Sequence, residues 1–376
     1  MNSSKAIGYR FRSVHRVAQQ LRLCGGIRDL SQIGWVGREC RVGSMGKNQI
    51  HIGGLPFLVA LSGVFASSAN AIEPEKQLTP QTLPPIAQDE ASKVSGAACS
   101  SNGKTCLLVG DEYRYAVAFD VDDNKIAIKD RVFLLPKKAQ DGHKYKEADA
   151  EGISFSDGVF YIVGSHGLNK EGEREDSRYF AYRVPAGALT GGGLGEENKI
   201  SSAIEKSDRL AQLLDQSEPF QKANTLAPEK GGTNIEGLAV TGDKLFVGFR
   251  GPLPDGKAVI GETSVNYVFG DVAGGLQLHP VDLGKGQAVR DLVAYHNGLL
   301  ILAGPQDRNG GKAVLYRWSP DTAPLQLAEL DPAGSKDRQP ETLMLLSETN
   351  ELIRFLVFDD GDEPLDPRIY EIPAKP

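Results

Sequence analysis

The 376-residue chain has four cysteines, three methionines and two tryptophans, and none of its cysteine spacings is typical of a metal site. It also lacks a G-x-S-x-G nucleophile turn, an H-E-x-x-H helix and a Walker phosphate loop. The glycine-rich stretch GGGLGEEN, near 191–198, has no strand-to-helix context and is not a nucleotide fingerprint. No common catalytic motif therefore identifies an activity.

Basic surface is also scarce once the N-terminus is set aside. The first 71 residues hold nine Lys/Arg and two Asp/Glu, which leaves 33 basic and 47 acidic residues in the remainder, a net charge near −14. Such a surface repels nucleic acid and anionic membranes. The remainder also shows no basic stripe interleaved with aromatic residues. We therefore expect no nucleic-acid partner.

The N-terminal region reads as an export signal. Lys47 precedes an apolar stretch, 52–66, which is too short for a bilayer span of about 20 residues. It ends in Ala69-Asn70-Ala71, a small-x-small cleavage pattern. The alternative, a buried core helix, conflicts with three glycines and a proline inside the stretch. We predict a signal peptide over 45–71, cleavage after Ala71, no membrane span after cleavage, and a periplasmic or secreted protein.

Residues 1–44 are Arg-rich, show no periodicity and precede a complete signal peptide that begins at Met45. We interpret them as overhang before the true translation start, with a long N-terminal region of the signal as the alternative. Residues 72–92 are polar and proline-rich, typical of a mature N-terminus. The folded domain is predicted to span 93–376.

The cysteines of the predicted mature chain, Cys99 and Cys106, flank an Asn-Gly hairpin turn. If Asn102-Gly103 is the turn, the two cysteines face each other across the strands. Cross-strand Cα separations of about 4.5–5.5 Å overlap the disulfide range. An oxidising compartment favours a disulfide, with two buried free thiols as the alternative.

The chain repeats one hairpin five times: a polar residue, an alternating apolar strand, a turn and a second apolar strand that ends at glycine. The repeats begin at Ser95, Glu151, Glu236, Asp291 and Glu341. The predicted turns are Asn102-Gly103, Asp157-Gly158, Gly242-Asp243, Asn297-Gly298 and Thr349-Asn350. Further strands follow most hairpins, giving about four strands per unit.

This pattern predicts an all-β fold, a β-propeller of four-stranded blades. We favour five blades, with six as the alternative if the insertion over 190–232 hides a divergent blade. A β-sandwich is the second choice of fold. The insertion has helical spacing over 207–220 with Ser207 as a cap. A strand within 78–86 is expected to complete the last blade and close the ring.

Because innermost propeller strands run the same way, the polar hairpin corners should meet at one mouth of the central channel. The predicted mouth residues are Ser95, Asp111, Glu112, Glu151, Ser165, His166, Asn234, Glu236, Arg250, Arg290, Asp291, Glu341, Asp359 and Asp360. Clustered carboxylates raise one another's pKa unless a cation compensates. The alternative interpretation is that acids and arginines merely hold the blades together.

The stretches EGISF, NIEGLAV with GFRGP, VRDLVAY with AGP, and PETL with FDDGDE resemble a bacterial family known as domain of unknown function 3616. The resemblance covers about 93–376 and implies a propeller without an established activity. A looser similarity links the Glu151-Gly152 and Glu236-Gly237 strand starts to lactonase and phytase-like propellers. That similarity implies glutamates directed toward a central calcium.

Two classes of function follow. The first is a hydrolase of phosphate esters or lactones that uses calcium or another divalent cation. Its catalytic candidates are Glu151, His166, Glu236, Arg250, Arg290 and Asp291. Its metal-ligand candidates are Glu151, Glu236, Asp291, Glu341, Asp359 and Asp360. The second class is a non-catalytic, monomeric envelope propeller that binds a small anionic ligand or a protein at the same mouth.

Overall fold

The computed structural model describes residues 77–78, 81–82, 84, 86, 93–122, 125–189, 200–307, 311–330, 339–360 and 367–374. The predicted signal peptide and the Arg-rich segment before it lie outside the described residues. The described strands form five sheets, in which consecutive blade strands are antiparallel, and these sheets are the blades of a propeller. The predicted all-β propeller with five blades is therefore confirmed.

Two short strands precede the blades, β1 (Gln77–Leu78) and β2 (Gln81–Thr82). Blade 1 holds β3 (Val94–Cys99), β4 (Cys106–Gly110), β5 (Tyr115–Val121) and β6 (Ile126–Phe133). Blade 2 holds β7 (Ala150–Ser156), β8 (Val159–Gly164), β9 (Ala181–Pro185) and β10 (Glu205–Ser207). Blade 3 holds β11 (Asn234–Thr241), β12 (Lys244–Gly251), β13 (Ala258–Ser264) and β14 (Gln277–Val281). Blade 4 holds β15 (Gln287–Tyr295), β16 (Gly298–Pro305), β17 (Ala313–Trp318) and β18 (Leu325–Leu330). Blade 5 holds β19 (Gln339–Glu348), β20 (Leu352–Asp360) and β21 (Arg368–Pro373).

The N-terminal segment joins two blades. Strand β2 pairs antiparallel with β21 and becomes the fourth strand of blade 5. Strand β1 pairs in parallel with β18, at the outer edge of blade 4. The antiparallel pairing falls inside the segment 78–86 that the sequence suggests for ring closure. The last blade is thus built from both ends of the described chain.

Apolar side chains fill the spaces between neighbouring sheets. Five buried clusters among the described residues each combine residues of two adjacent blades, and one of them joins blade 5 to blade 1. The inner strands also contact one another around the ring, from β3 through β7, β11 and β15 to β19 and back to β3. Because each sheet is covered on both faces, the strands are almost continuously apolar rather than strictly alternating.

The observed hairpin turns agree only in part with the residue pairs that the sequence predicts as turns. Asp157 and Gly158 both have positive φ, as a tight two-residue hairpin turn requires. In blade 4 the predicted Asn297-Gly298 turn is wrong by one residue, because Tyr295 pairs with Gly298 and His296 takes the positive φ.

Two other turns also differ from their predictions. In blade 5 the turn centres on Asn350-Glu351 rather than Thr349-Asn350, since the Thr349 amide donates to the Leu352 carbonyl. In blade 1 the cysteine register is as predicted, and Gly103 has positive φ whereas Asn102 does not.

The insertion of blade 2 adds one strand and two helices rather than a sixth blade in its described part, 200–232. After β10 the chain forms α1 (Arg209–Asp215) and α2 (Phe220–Ala223), and blade 3 adds α3 (Val265–Phe269). The helix cap is Asp208, one residue later than predicted. Ser207 lies at the end of β10 and accepts a hydrogen bond from the Arg209 amide at 3.2 Å.

A disulfide joins Cys99 and Cys106, which are paired residues of β3 and β4 with Cα atoms 4.0 Å apart. The hairpin register therefore places the two cysteines as the sequence predicts. Within the described part of the chain, none of the helices is both long and apolar enough to cross a bilayer.

Candidate functional site

Each inner strand begins with a one-residue bulge, and the five bulged residues form a ring around one mouth of the channel. In every blade the pairing between the first two strands skips one residue. The skipped residues are Ser95, Glu151, Glu236, Arg290 and Glu341. A bulge re-aims its side chain away from the regular alternation of the strand. These five positions are equivalent, and we call them the bulge ring.

Arg290 bridges its two neighbours in the bulge ring. Its Nη1 donates to Glu236 Oε2 at 3.1 Å and to Glu341 Oε1 at 2.9 Å, and its Nη2 donates to the Gln339 side chain. The guanidinium is 1% exposed, so these contacts are shielded from water. One buried arginine thus neutralises the carboxylates on both sides of it.

Glu236 has a second arginine partner. Arg250 Nη1 donates to Glu236 Oε1 at 3.0 Å, and the Asn234 side-chain amide donates to the same oxygen at 2.6 Å. Arg250 occupies a bulge of its own in β12 and also donates from Nε to the Gln306 carbonyl at 2.9 Å. The predicted adjacency of Glu236 and Arg250 is therefore present, and both oxygens of Glu236 accept charged donors.

Glu151 has the opposite surroundings. The residue is only 9% exposed, and its carboxylate makes no hydrogen bond or ion pair with the described residues. The nearby Arg250 guanidinium interacts with its charge at longer range. Burial raises the pKa of Glu151 well above its ordinary value, and the nearby carboxylates of Asp149, Glu236, Asp111 and Glu341 raise it further. A buried carboxylate without a donor is unfavourable when charged.

A second arginine cluster lies beside Glu151. Arg178 donates to Asp149 Oδ2 at 2.9 Å and to the Glu147 carboxylate. Burial raises the pKa of Asp149 to about 6, although Arg178 and the Ser165 hydroxyl act in the opposite direction. The carboxyls of Asp149 and Glu151 therefore both retain protons to higher pH than exposed acids do.

The bulge ring opens into a polar cavity of about 290 Å³. Among the described residues that line it, ten are acidic and five are basic. The acidic residues are Asp111, Glu112, Glu147, Asp149, Glu151, Glu171, Glu175, Glu229, Glu236 and Glu341. Eight of the fourteen predicted mouth residues line this cavity, and acids outnumber bases there.

Asp291 and Asp359, two of the predicted metal ligands, are engaged elsewhere. Asp291 Oδ1 accepts from the Leu292 amide and Oδ2 from the Leu343 amide of the next blade, both at 2.7 Å. Asp359 contacts Arg368 inside blade 5, and both residues are buried. The side chain of Asp360 lies outside the described residues. Asp291 therefore links inner strands instead of facing the cavity with Glu151.

The predicted divalent-cation site does not fit this arrangement. Calcium needs six to eight oxygen ligands at about 2.3–2.6 Å. Within the described residues, no group of three His, Cys, Asp or Glu side chains is placed to hold a metal ion. Glu236, the central candidate ligand, is already neutralised by two arginines. We therefore derive no chemical step that uses a metal ion.

His166, a predicted catalytic residue, is buried outside the lining of the cavity and has a fixed tautomer. Its Nδ1 lies 2.9 Å from the Gly164 carbonyl, which can only accept, so Nδ1 carries the proton. Burial lowers the pKa of His166 to about 4, and the ring is neutral at physiological pH. Its ring packs edge-on against Tyr179. From this segment, Leu168 and Asn169 reach the cavity lining.

Apart from Asn234, sequence reasoning missed a second row of polar residues, which lie two positions before each bulge. That position holds Lys93, Asp149, Asn234, Ala288 and Gln339, so four of the five described residues are polar. Asp149, Asn234 and Gln339 each contact an arginine or a ring carboxylate. Aligning the five repeats two residues further upstream reveals this signal.

The opposite end of the channel is chemically different. A cavity of about 490 Å³ is lined there by later residues of the inner strands, including Ala97, Ile153, Phe155 and Met344. Cys99 of the disulfide also lines it. Because charged side chains are sparse among these residues, the acidic character belongs to one mouth of the propeller.

Several solved structures are similar to this chain at low sequence identity. The propeller domain of Cps50 (Swd1) from Myceliophteria thermophila is 8% identical, with 77% of this chain and 99% of that one covered and a TM-score of 0.38. The soluble aldose sugar dehydrogenase from Escherichia coli is 10% identical, with 79% and 100% covered and a TM-score of 0.38. A GH43 β-1,3-galactosidase is 9% identical, with 79% and 60% covered and a TM-score of 0.40. At these values the likenesses carry no argument about activity.

No curated protein matches the chain. A family model does match, over 93–183 and 193–369, which is most of the described propeller. The matched ranges contain all five positions of the bulge ring. The chain therefore belongs to the family described as "Protein of unknown function (DUF3616)".

Proposed function

We propose that this protein is a ligand-binding propeller of the cell envelope and that its acidic mouth takes up a positively charged group of the ligand. The observation that carries the proposal is Glu151, a buried carboxylate that faces the cavity with no donor from the described residues. A cation bound at this point would relieve the unfavourable burial of its charge.

The composition of the cavity supports a cationic ligand. Ten acids against five bases among its described lining residues give the mouth a negative potential, which raises the local concentration of cations and the rate of their capture. The volume of about 290 Å³ lies near the lower end of small-molecule sites. The ligand is therefore expected to be small.

The hydrolase alternative has less support. It relies on Arg250 and Arg290 to grip an anionic substrate, and both guanidiniums already donate to Glu236. An anion would have to displace these buried ion pairs and enter a cavity that repels it. The expectation of a small anionic ligand is replaced here by that of a cationic one, and turnover of phosphate esters or lactones stays a prediction.

Location in the periplasm or outside the cell belongs to the same proposal. The apolar stretch ending at Ala71 has the features of a signal peptide. The disulfide between Cys99 and Cys106 is of the kind that forms in oxidising compartments. Both features support export, and a solute-binding or partner-binding role is consistent with such a location.

Binding calorimetry on the purified protein tests the proposal. All titrations are compared at the same ionic strength. We expect small organic cations to bind saturably, and we expect phosphate and neutral sugars not to bind. Glu151→Gln should abolish cation binding. Glu351→Gln is the matched control, since Glu351 is an exposed residue in the turn of blade 5. Binding of phosphate in place of cations would contradict the proposal, and so would equal cation binding by both variants.

A further inference from the structure

The three glutamates of the bulge ring have unequal partners among the described residues. Among its five equivalent positions are three glutamates and one arginine, and Arg290 contacts the two glutamates beside it. Glu151 lies between Ser95 and Glu236, so no ring neighbour supplies it with a positive charge. Glu151 is therefore the ring carboxylate that is not engaged by any ion pair of the described residues.

We infer, resting on the proposed function, that the ligand is a linear diamine or polyamine: one primary ammonium binds Glu151 and a second meets the acidic rim of the cavity. The rim is defined here as Glu112, Glu171 and Glu229, three exposed acids that line the cavity.

The deep end of the cavity favours an ammonium over other cations. Glu151 is nine-tenths buried and needs an N–H donor, which a quaternary ammonium lacks. A metal ion needs several converging oxygens, and the described side chains provide no such group of three. An ammonium carries three donors on a compact charge, so it can serve Glu151 together with acceptors on other sides, such as Ser95 and Asp149.

The middle and the rim of the cavity favour a chain with a second charge. Leu168 and Pro228 line the wall and offer apolar contacts to methylene groups. Glu171 and Glu229 are exposed at the rim, where a second ammonium would meet carboxylates without a large desolvation cost. A monoamine would leave these rim acids unused, whereas a diamine would engage both ends.

Isothermal titration calorimetry of the purified protein tests the ligand class. The probes are 1,4-diaminobutane, 1,5-diaminopentane, butylamine, the fully N-methylated form of 1,5-diaminopentane, and calcium chloride, all at constant ionic strength. We expect a diamine to bind about tenfold or more tightly than butylamine and than its methylated form. Glu151→Gln should lose at least about tenfold in diamine affinity, and Glu351→Gln should lose none.

A second variant keeps the inference testable if Glu151→Gln does not fold. The double substitution Glu171→Gln with Glu229→Gln changes only exposed side chains. It should weaken diamine binding by about two- to fivefold and leave butylamine binding unchanged. An equal loss of affinity for the diamine and for butylamine, or no loss of affinity for either, would overturn the role of the rim.

The outcomes separate the two proposals. Equal affinity for butylamine and a diamine, equal affinity for the methylated form, or binding of calcium alone would each overturn the diamine inference and leave a cation-binding mouth. Failure of every cation to bind would overturn the proposed function as well. Tight diamine binding that Glu151→Gln abolishes would support both.

Discussion

Glu151 and Glu236 show how little the residue type alone determines. Both start an inner strand, both precede glycine, and both occupy a bulge at the channel mouth. Glu236 accepts hydrogen bonds from two arginines and an asparagine, whereas no described donor contacts Glu151. The neighbours supplied by adjacent blades therefore give one glutamate a structural role and leave the other open to a ligand.

At the residue scale, Glu151→Gln should stabilise the protein at neutral pH. Burial raises the pKa of Glu151 in the folded state, so the protonated side chain contributes to folding stability. This contribution is fully present below the ordinary pKa of 4.5 and is lost as the pH rises through the folded-state pKa. Wild type and variant should therefore have the same melting temperature near pH 4. The variant should then melt about 2–4 °C or more higher at pH 8. Thermal melts across this range check the prediction, and a lower melting temperature for the variant at pH 8 would contradict it.

Arg290 is predicted to matter for folding. Arg290→Met would leave Glu236 and Glu341 without their shared buried partner, and breaking such a pair costs about 3–5 kcal/mol. Arg183→Met is the matched control, since Arg183 is partly exposed and its pair with Glu205 should contribute about 0–1 kcal/mol. Denaturant unfolding measures both. Equal losses in the two variants would show that the buried bridge adds nothing.

At the scale of the element, each inner strand starts with a bulged residue, and the residue after the bulge packs closely against the next blade. Gly152 and Gly237 occupy that packing position in blades 2 and 3, against the backbone of the next inner strand. Asp291 occupies it in blade 4 and bonds the Leu343 amide instead. The strand start thus aims one residue at the channel and the next at the neighbouring blade.

Gly237→Ala tests this packing. A Cβ at Gly237 would lie 2.7 Å from the Leu292 amide nitrogen, closer than packing allows. We expect a loss of about 1–3 kcal/mol in the free energy of unfolding and weaker cation binding, because the bulge carrying Glu236 would shift. Gly187→Ala is the control, since nothing lies within 4 Å of its added Cβ. Urea unfolding of both variants gives the comparison, and an unchanged Gly237→Ala protein would contradict it.

Much of the fold could be predicted from the five hairpin repeats, because alternation and turn residues act locally. The polar strand starts also predicted the mouth, including Glu151, Glu236, Arg250 and Arg290. What the sequence could not supply was the partner of each acid. Asp291 bonds the next blade and Asp359 bonds Arg368 because bulges and blade packing direct these side chains, and neither is visible in the spacing of one repeat.

At the scale of the whole molecule, five blades give the ring an uneven charge. Arg290 can reach the position on each side of it and no further, so Glu236 and Glu341 are neutralised and Glu151 is not. The rest of the mouth is acidic, and the other end of the channel is lined mainly by apolar and small residues. The molecule therefore has one end suited to a cation.

Export is a prediction about the whole chain. Cleavage after Ala71 should yield a mature protein that begins at Ile72, since Ala69 and Ala71 provide the small residues of the cleavage pattern. N-terminal sequencing of protein recovered from the periplasm or the medium measures this. A full-length product retained in the cytoplasm, starting at Met1, would contradict it.

In the proposed complex, the Glu151 carboxylate binds an ammonium group of the ligand. A crystal structure of the protein with 1,5-diaminopentane tests it most directly. We predict an ammonium nitrogen within about 2.7–2.9 Å of the Glu151 carboxylate, with Arg290 still bridging Glu236 and Glu341. Diamine bound only elsewhere on the surface, or Glu151 paired with a side chain of the protein itself, would contradict the account.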